Sequence, residues 1–431
     1  MKVSLNPSRE GNAFFAAAQS AFQSCVHCGF CNATCPTYVV LGDERDGPRG
    51  RIYAMQEMLE TDAVPATLVP HLDRCLSCLA CKTTCPSGVD YRRLIDLGRT
   101  EVARSRRWSI DGLVRRALAE LMTRPTLFRL AIVIGRAVAH LPLTGRLGAA
   151  TRIARWARPH RGAVDGTRVF PAIGRKRARV ALLTGCVQRA VAAEINEATV
   201  RLLCRMGCEV VTREDVQCCG SLDHHLGHEA RAQSFATEAI AAWRTEQKTN
   251  GLDFIVTNTS GCGAHLKDIG FQLQQPEDAE RGATDLAAIV RDVSELVTEL
   301  GLPERSNDQE IDVAYQSACT LRHGQGVVDL PQALLSQAGF TVRDIKEDHL
   351  CCGSAGTYNI LQPDLADQLG KRKAHNIAAT GARVVATGNV GCMLQLRGHV
   401  DVPVVHTVEL LDWATGGPMP LALGARNARH P

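Results

Sequence analysis

From residue 180 onward the chain alternates short apolar runs with helical stretches. R-V-A-L-L-T-G-C leads into Cys186 and L-D-F-I-V-T-N-T-S-G-C into Cys262; I-D-V-A-Y-Q-S-A-C leads into Cys319 and A-R-V-V-A-T-G-N-V-G-C into Cys392. Brief apolar runs bounded by turn-forming residues predict buried strands. V-R-D-V-S-E-L-V and V-H-T-V-E-L-L-D read as matched helix starts. Strand–helix alternation of this kind predicts two α/β units, each with a short parallel sheet. Earlier, R-I-Y-A-M-Q-E-M-L-E follows the turn-rich G-D-E-R-D-G-P-R-G and predicts a helix in a mainly helical N-terminal domain. The fold class expected is α+β and multidomain.

Cysteine usage changes the picture. The 431 residues include 18 cysteines. The opening MKVSLNPSREGNAFF lacks the basic-then-apolar run of a secretory leader, and no apolar stretch approaches the ~18 residues of a spanning helix. The expectation is a cytoplasmic chain, in which clustered thiols bind metal rather than cross-link. At 4% aromatic residues, a stacking platform for nucleic acid is not expected.

Two motifs carry the chemistry. Cys25, Cys28, Cys31, Cys35 and Pro36 form one C-x2-C-x2-C-x3-C-P run, and Cys75, Cys78, Cys81, Cys85 and Pro86 form another. Three soft thiolates at this spacing wrap one corner of a cubane, while the fourth, ahead of a proline, ligates the other cluster. The spacing therefore predicts two [4Fe–4S] clusters, one on Cys25, Cys28, Cys31 and Cys85 and one on Cys75, Cys78, Cys81 and Cys35. A zinc site would leave a spare thiolate in each motif. The 39 residues between Cys35 and Cys75 exceed what a compact bacterial ferredoxin uses. Arg49 and Arg51 read equally well as a solvated helix start or as counter-charges to a cluster.

The C-terminal part is duplicated. Cys186, Cys218-Cys219-Gly220 and Cys262 in the first unit answer to Cys319, Cys351-Cys352-Gly353 and Cys392 in the second, with 31 residues between the lone cysteine and the pair in both. Cysteines at strand ends fall where open α/β sheets hold ligands, so these eight form a possible further metal site. Cys204 and Cys208, in the helical pattern R-L-L-C-R-M-G-C, have no counterpart and read as helix packing. His224, His225, His265, His323 and His349 also lack matched partners and read as structural or solvated.

The Cys-Cys-Gly pattern resembles the cysteine-rich domain of the heterodisulfide reductase family, which also serves in quinone-linked dehydrogenases. In that family the last element is C-x2-C, and here Thr259 and Asn389 stand where its first cysteine belongs. The family's five thiols hold paired-cubane or noncubane clusters. With four, the resemblance leaves open a cluster in one or both units or a thiol-lined scaffold without metal. The order of motifs over nearly the whole chain is similar to that of the glycolate oxidase iron–sulfur subunit family and its relatives in glycerol-3-phosphate and L-lactate oxidation. It implies an FAD-bearing flavoprotein partner that oxidises glycolate to glyoxylate, with electrons leaving towards the quinone pool. The chain itself has no G-x-G-x-x-G after a strand, no P-loop and no hydrolase elbow. Substrate chemistry is expected on the partner. A thiol–disulfide reductase and a non-redox scaffold are the competing readings.

Between Arg99 and Arg179 stand 18 Arg and one Lys against Glu101, Asp111, Glu120 and Asp165. L-F-R-L-A-I-V-I-G-R-A-V-A-H-L-P-L-T-G-R is too short and too charged to span a bilayer, but fits a basic amphipathic helix on anionic lipid. A docking face for another protein chain is the alternative. The expected location is therefore cytoplasmic and peripheral at the inner face of the plasma membrane. The expected organisation is a ferredoxin domain over 1–100, a basic helical linker over 101–178, and cysteine-rich units over 179–305 and 306–431.

Overall fold

The computed structural model describes residues 13–159, 162–273, 277–306 and 310–427. The stretch MKVSLNPSREGN, on which the leader expectation partly rests, lies outside them.

The N-terminal part is helical. Helices Ala13–Ser24, Pro48–Thr61 and Tyr91–Ser105 bury one core around Phe22, Ile52, Met55, Leu72, Leu94 and Ile95. Pro48 and Pro36 both occupy the first turn of a helix, where a missing amide proton costs nothing. The two cysteine loops lie between these helices. Helix Tyr91–Ser105 runs through the border expected at residue 100, because its apolar face at Leu94, Ile95, Leu97 and Val102 continues unbroken.

Two sheets follow with the same topology. The first joins β1 (Arg168–Phe170), β2 (Ala178–Leu183), β3 (Cys208–Thr212), β4 (Phe254–Thr257) and β5 (Val290–Asp292) in the order β1-β3-β2-β4-β5. The second joins β6 (Asp312–Tyr315), β7 (Thr341–Arg343), β8 (Val384–Thr387) and β9 (Val404–His406) in the order β7-β6-β8-β9. Apart from the antiparallel edge strand β1, all pairings are parallel. Strand order reverses between β2 and β4, and again between β6 and β8, so each sheet has a switch point at its carboxyl edge. The α/β duplication read from the sequence is thus the observed one.

Three features differ from expectation. Residues 168–170 lie within the expected linker yet form β1, which pairs with β3. Cys208 opens β3 rather than continuing a helix, because Gly207 turns the chain at φ +85° after helix Glu194–Arg205. Strands β5 and β9 immediately precede the two matched helix starts, and each helix carries a capping box, from Asp292 and from His406.

The basic segment is not a free linker. It folds into helices Ile110–Thr123, Pro125–Ala137 and Gly145–Trp156, which pack on one another and on helix Cys186–Val191 and the Tyr358–Leu361 turn. The two cysteine-rich units are clasped by Arg201 and Arg205, both on the buried carboxylate of Asp412. The ferredoxin part is joined to the first unit by Arg93, bidentate to Asp268 at 2.7 and 2.6 Å and lying over the Phe271 ring.

Candidate metal centres

Cys25, Cys28, Cys31 and Cys85 line one small pocket with His27, Arg49, Pro86 and Tyr91. Cys28 is exposed and the other three are half-buried. Cys35, Cys75, Cys78 and Cys81 are all buried; Cys81 has the other three among its electrostatic neighbours, and Cys78 has Cys35 and Cys75. Cys81 also touches the first pocket, so an outer and an inner group adjoin. In each group the fourth thiol comes from the other motif.

The loops are shaped alike. His27 and Gly29 in the first motif, and Ser77 and Leu79 in the second, are left-handed, at φ 53°, 83°, 48° and 61°. These are the same two positions of each motif. Left-handed backbone at His, Ser and Leu costs roughly 1–3 kcal/mol each and persists where the surroundings demand it. Such turns gather amide protons into a concavity suited to anionic groups. Ser77 donates its amide to Cys75 Sγ at 3.5 Å. A soft thiolate set inside such loops fits an iron–sulfur cluster.

Of the two readings of Arg49 and Arg51, burial excludes the solvated one for Arg51. Its guanidinium is 1% exposed and donates to His71 O at 2.7 Å, Thr37 Oγ1 at 3.0 Å and Cys35 Sγ at 3.7 Å. Asp46, also buried, is held by Arg51, His71 and Arg74. Burial opposes the charge on Arg51, but Cys75, Tyr91, Cys35 and Asp46 around it hold its pKa above the usual value. A permanent cation thus stands beside two thiols of the inner group. Arg49 instead pairs with Glu44 and donates to His27 O in the outer loop.

In the repeats, the four cysteines of each unit meet. Cys186 Sγ lies 3.4 Å from Cys218 Sγ, and Cys319 Sγ lies 3.8 Å from Cys351 Sγ. Cys218 touches Cys219 and Cys219 touches Cys262; Cys351, Cys352 and Cys392 repeat the chain of contacts. Cys186 and Cys262 reach this point from the carboxyl ends of β2 and β4, which flank the switch point. The glycine of Cys-Cys-Gly has a strict reason. Gly220 and Gly353 sit at φ +89° and +90°, and a Cβ there would stand 2.6 and 2.7 Å from the carbonyl oxygens of Ala232 and Ala366. The neighbouring thiols of Cys218 and Cys351, together with burial, push Cys186 and Cys319 well above the ordinary thiol range.

All eight repeat cysteines, with Cys75, line a single cavity of about 510 Å³. Thr259 and Asn389 line it too. Their side chains are tied down, Thr259 to Gln188, and Asn389 to Ser260 Oγ at 2.7 Å across the junction of the two units. The helices of the basic segment roof the cavity with Leu118, Met122, Phe128 and Ile132. That roof has no counterpart in the strand–cysteine pattern, and only the amphipathic spacing of the helices hinted at it.

The histidines fall at the seam with the ferredoxin part. His224 pairs with Asp96 at 3.0 Å and stacks near His265, while His225 lines the cavity. His323 bonds Thr83 Oγ1 at 2.8 Å, and His349 is half-buried beside it, its carbonyl 3.4 Å from His323 Nε2. Cys204 and Cys208 are buried away from the cavity, and burial pushes each thiol up to about 11. Among the described residues, no three His, Cys, Asp or Glu side chains have the geometry of a site for one metal ion.

Tandem four-thiol loops on a helical domain, joined to a duplicated thiol-lined α/β unit, define an iron–sulfur electron-transfer protein. Residues 21–89 match the 4Fe-4S dicluster domain family, and residues 180–267 and 313–397 each match the cysteine-rich domain family. Over 416 residues the chain is 36% identical to the glycolate oxidase iron–sulfur subunit of Escherichia coli, covering 96% of this chain and 99% of that one. It is 30% identical to a probable glycolate oxidase iron–sulfur subunit of Bacillus subtilis, covering 91% and 94%. Lactate utilization protein A of Oceanobacillus iheyensis is 29% identical over 54% of this chain and 96% of its own length. The chain belongs to the glycolate oxidase iron–sulfur subunit family.

Proposed function

We propose that this chain holds two [4Fe–4S] clusters, one on Cys25, Cys28, Cys31 and Cys85 and one on Cys35, Cys75, Cys78 and Cys81. It serves as the electron-transfer subunit of an oxidoreductase complex whose FAD-bearing partner oxidises glycolate to glyoxylate. When bound, the clusters supply one-electron carriage, which splits the electron pair of a reduced flavin. The observation that carries this reading is the matched geometry of the two loops, each left-handed at the same two positions and each completed by the other motif's fourth thiol. The residues contribute positioning and charge. Arg51 offsets the negative charge of the inner thiolates, Ser77 N hydrogen-bonds Cys75 Sγ, and both effects raise a reduction potential.

The eight repeat cysteines form a further candidate cluster site, supported by their convergence on one cavity. The ferredoxin region and the two cysteine-rich units carry the thiols of one relay, and the basic helices cover it. Among the described residues no helix is long and apolar enough to cross a membrane. The basic helices instead expose Leu113, Leu127, Leu130 and Val133 among arginines, which supports contact with an anionic lipid surface on the cytoplasmic side. Electrons then leave towards the quinone pool. A lactate dehydrogenase partner is the second reading, favoured by the similarity to lactate utilization protein A.

Iron and acid-labile sulfide per chain, on anaerobically purified protein, test the cluster assignment. About eight irons supports two clusters with empty repeats, and about twelve to sixteen adds metal to the repeats. About four or fewer would overturn the two-cluster reading. Co-purification with a flavoprotein that turns over glycolate, rather than lactate, decides the partner.

A further inference from the structure

The cavity has two unlike ends. Its floor is the eight repeat thiols and Cys75. Its vault is apolar, formed by Leu118, Met122 and Phe128 with Ile132 and Ile153 from the basic helices. Two of its lining residues, Ile134 and Leu147, are also 56% and 59% exposed, so the vault opens on the outer surface of those helices. The same helices expose Leu127, Leu130 and Val133, interspersed with the exposed Arg136 and Arg152 and with Arg124 and Arg146, which pair with Glu120 and Asp111. An apolar opening on helices that carry exposed leucines and arginines matches the interface of an anionic bilayer, with acyl chains against the leucines and headgroups against the guanidinia. A water-soluble ligand gains nothing from such a mouth.

Tyr358 and His225 also line the cavity. Tyr358 itself is 5% exposed. A ligand suited to this space has an apolar tail for the vault and a redox-active head that reaches the thiol floor.

We propose that the vault is the binding site of a lipophilic quinone, admitted from the bilayer between helices Pro125–Ala137 and Gly145–Trp156. This rests on the reading that the chain delivers electrons to a membrane acceptor. In the balanced step, one quinone takes two electrons and two protons and leaves as the hydroquinone. The electrons are the pair released when the partner's reduced flavin is reoxidised, and the protons come from solvent.

The test uses the anaerobically purified complex with its flavoprotein. Ala131 also lines the vault, and glycolate-dependent reduction of a short-tailed ubiquinone analogue is compared with reduction of a water-soluble dye, for the natural chain and for Ala131→Phe, whose larger side chain fills that space. Ala131→Phe is expected to lower the quinone-to-dye ratio at least about tenfold with iron per chain unchanged. An unchanged ratio overturns the site. A natural complex that reduces the dye but no quinone overturns the reading beneath it. Should Ala131→Phe lose its iron, photolabelling of the natural complex with an azidoquinone decides: label on residues 125–156 supports the site, and label confined elsewhere overturns it.

Discussion

Cys78 and Cys351 belong to one packed cluster, with Leu76, Ala80, Tyr358, Leu365 and Leu369 around them and Cys319 against it. Cys319 is the largest charge neighbour of Cys78. The inner group of the ferredoxin part therefore abuts the second cysteine-rich unit, whereas the first meets that part elsewhere, through Arg93–Asp268 and the Phe14–Phe271 ring contact. The duplication is symmetric in topology and asymmetric in contact.

That asymmetry separates two otherwise equivalent substitutions. Cys351→Ser is expected to alter the paramagnetic resonance spectrum of the reduced inner cluster, and Cys218→Ser to leave it as it was. Equal perturbation by both would refute the asymmetric coupling.

Removing the buried cation should be costly. Arg51→Met leaves Asp46 and the Cys35 thiolate short of a partner, and breaking a buried pair of this kind costs about 3–5 kcal/mol. It should also lower the inner cluster's midpoint potential, since a positive charge beside the thiolates favours the reduced state. Anaerobic thermal unfolding and a redox titration check both. A variant as stable as the parent, with an unmoved potential, contradicts the role given to Arg51.

Gly353→Ala meets two obstacles, a φ of +90° and the Ala366 carbonyl oxygen 2.7 Å from the new methyl group. Gly381, at φ +68° with open space around it, meets only the first, worth about 1–2 kcal/mol. Gly353→Ala is expected to destabilise at least twice as much as Gly381→Ala in denaturant titrations. Comparable losses would show that the carbonyl contact is unimportant.

Acid sensitivity follows from His406. Its neutral Nδ1 accepts from Val408 N at 3.1 Å and caps helix Thr407–Ala414, and burial holds its pKa down to about 4 from 6.5. Below pH 6.5 the unfolded chain binds a proton that the folded one refuses, so this stability is present above pH 6.5 and is lost as pH falls towards 4. The loss over that window is about 3 kcal/mol. Buried Glu409 acts oppositely: burial raises it from 4.5 to about 7, so its contribution falls as pH rises through that interval. His406→Asn keeps a capping side chain but does not titrate. The stability advantage of the natural chain over His406→Asn should therefore shrink as pH drops from 6.5 to 4; parallel pH profiles would discard the assignment.

Much of this molecule was legible before folding was considered. Cluster-binding loops are local objects: three thiols two residues apart can be recognised from spacing because the chain between them is too short to do anything else. The same holds for the duplicated strand–cysteine units, whose buried strands are continuous apolar runs. Strands β5 and β9 escaped notice because three residues carry too little periodicity, and Cys208 because a glycine turn interrupted a pattern that otherwise continued as helix.

The sequence by itself determined where the cysteines stand, how they are grouped within each motif, and that two α/β units follow a helical domain. Tertiary structure alone decided that all eight repeat thiols share one cavity, that the basic helices roof it, that Arg51 is buried beside Cys35, and that Cys78 meets Cys351. Those are contacts between segments far apart in the chain, and an amphipathic stripe or a lone arginine states only that something must cover it. What covers it depends on how the sheets and helices pack.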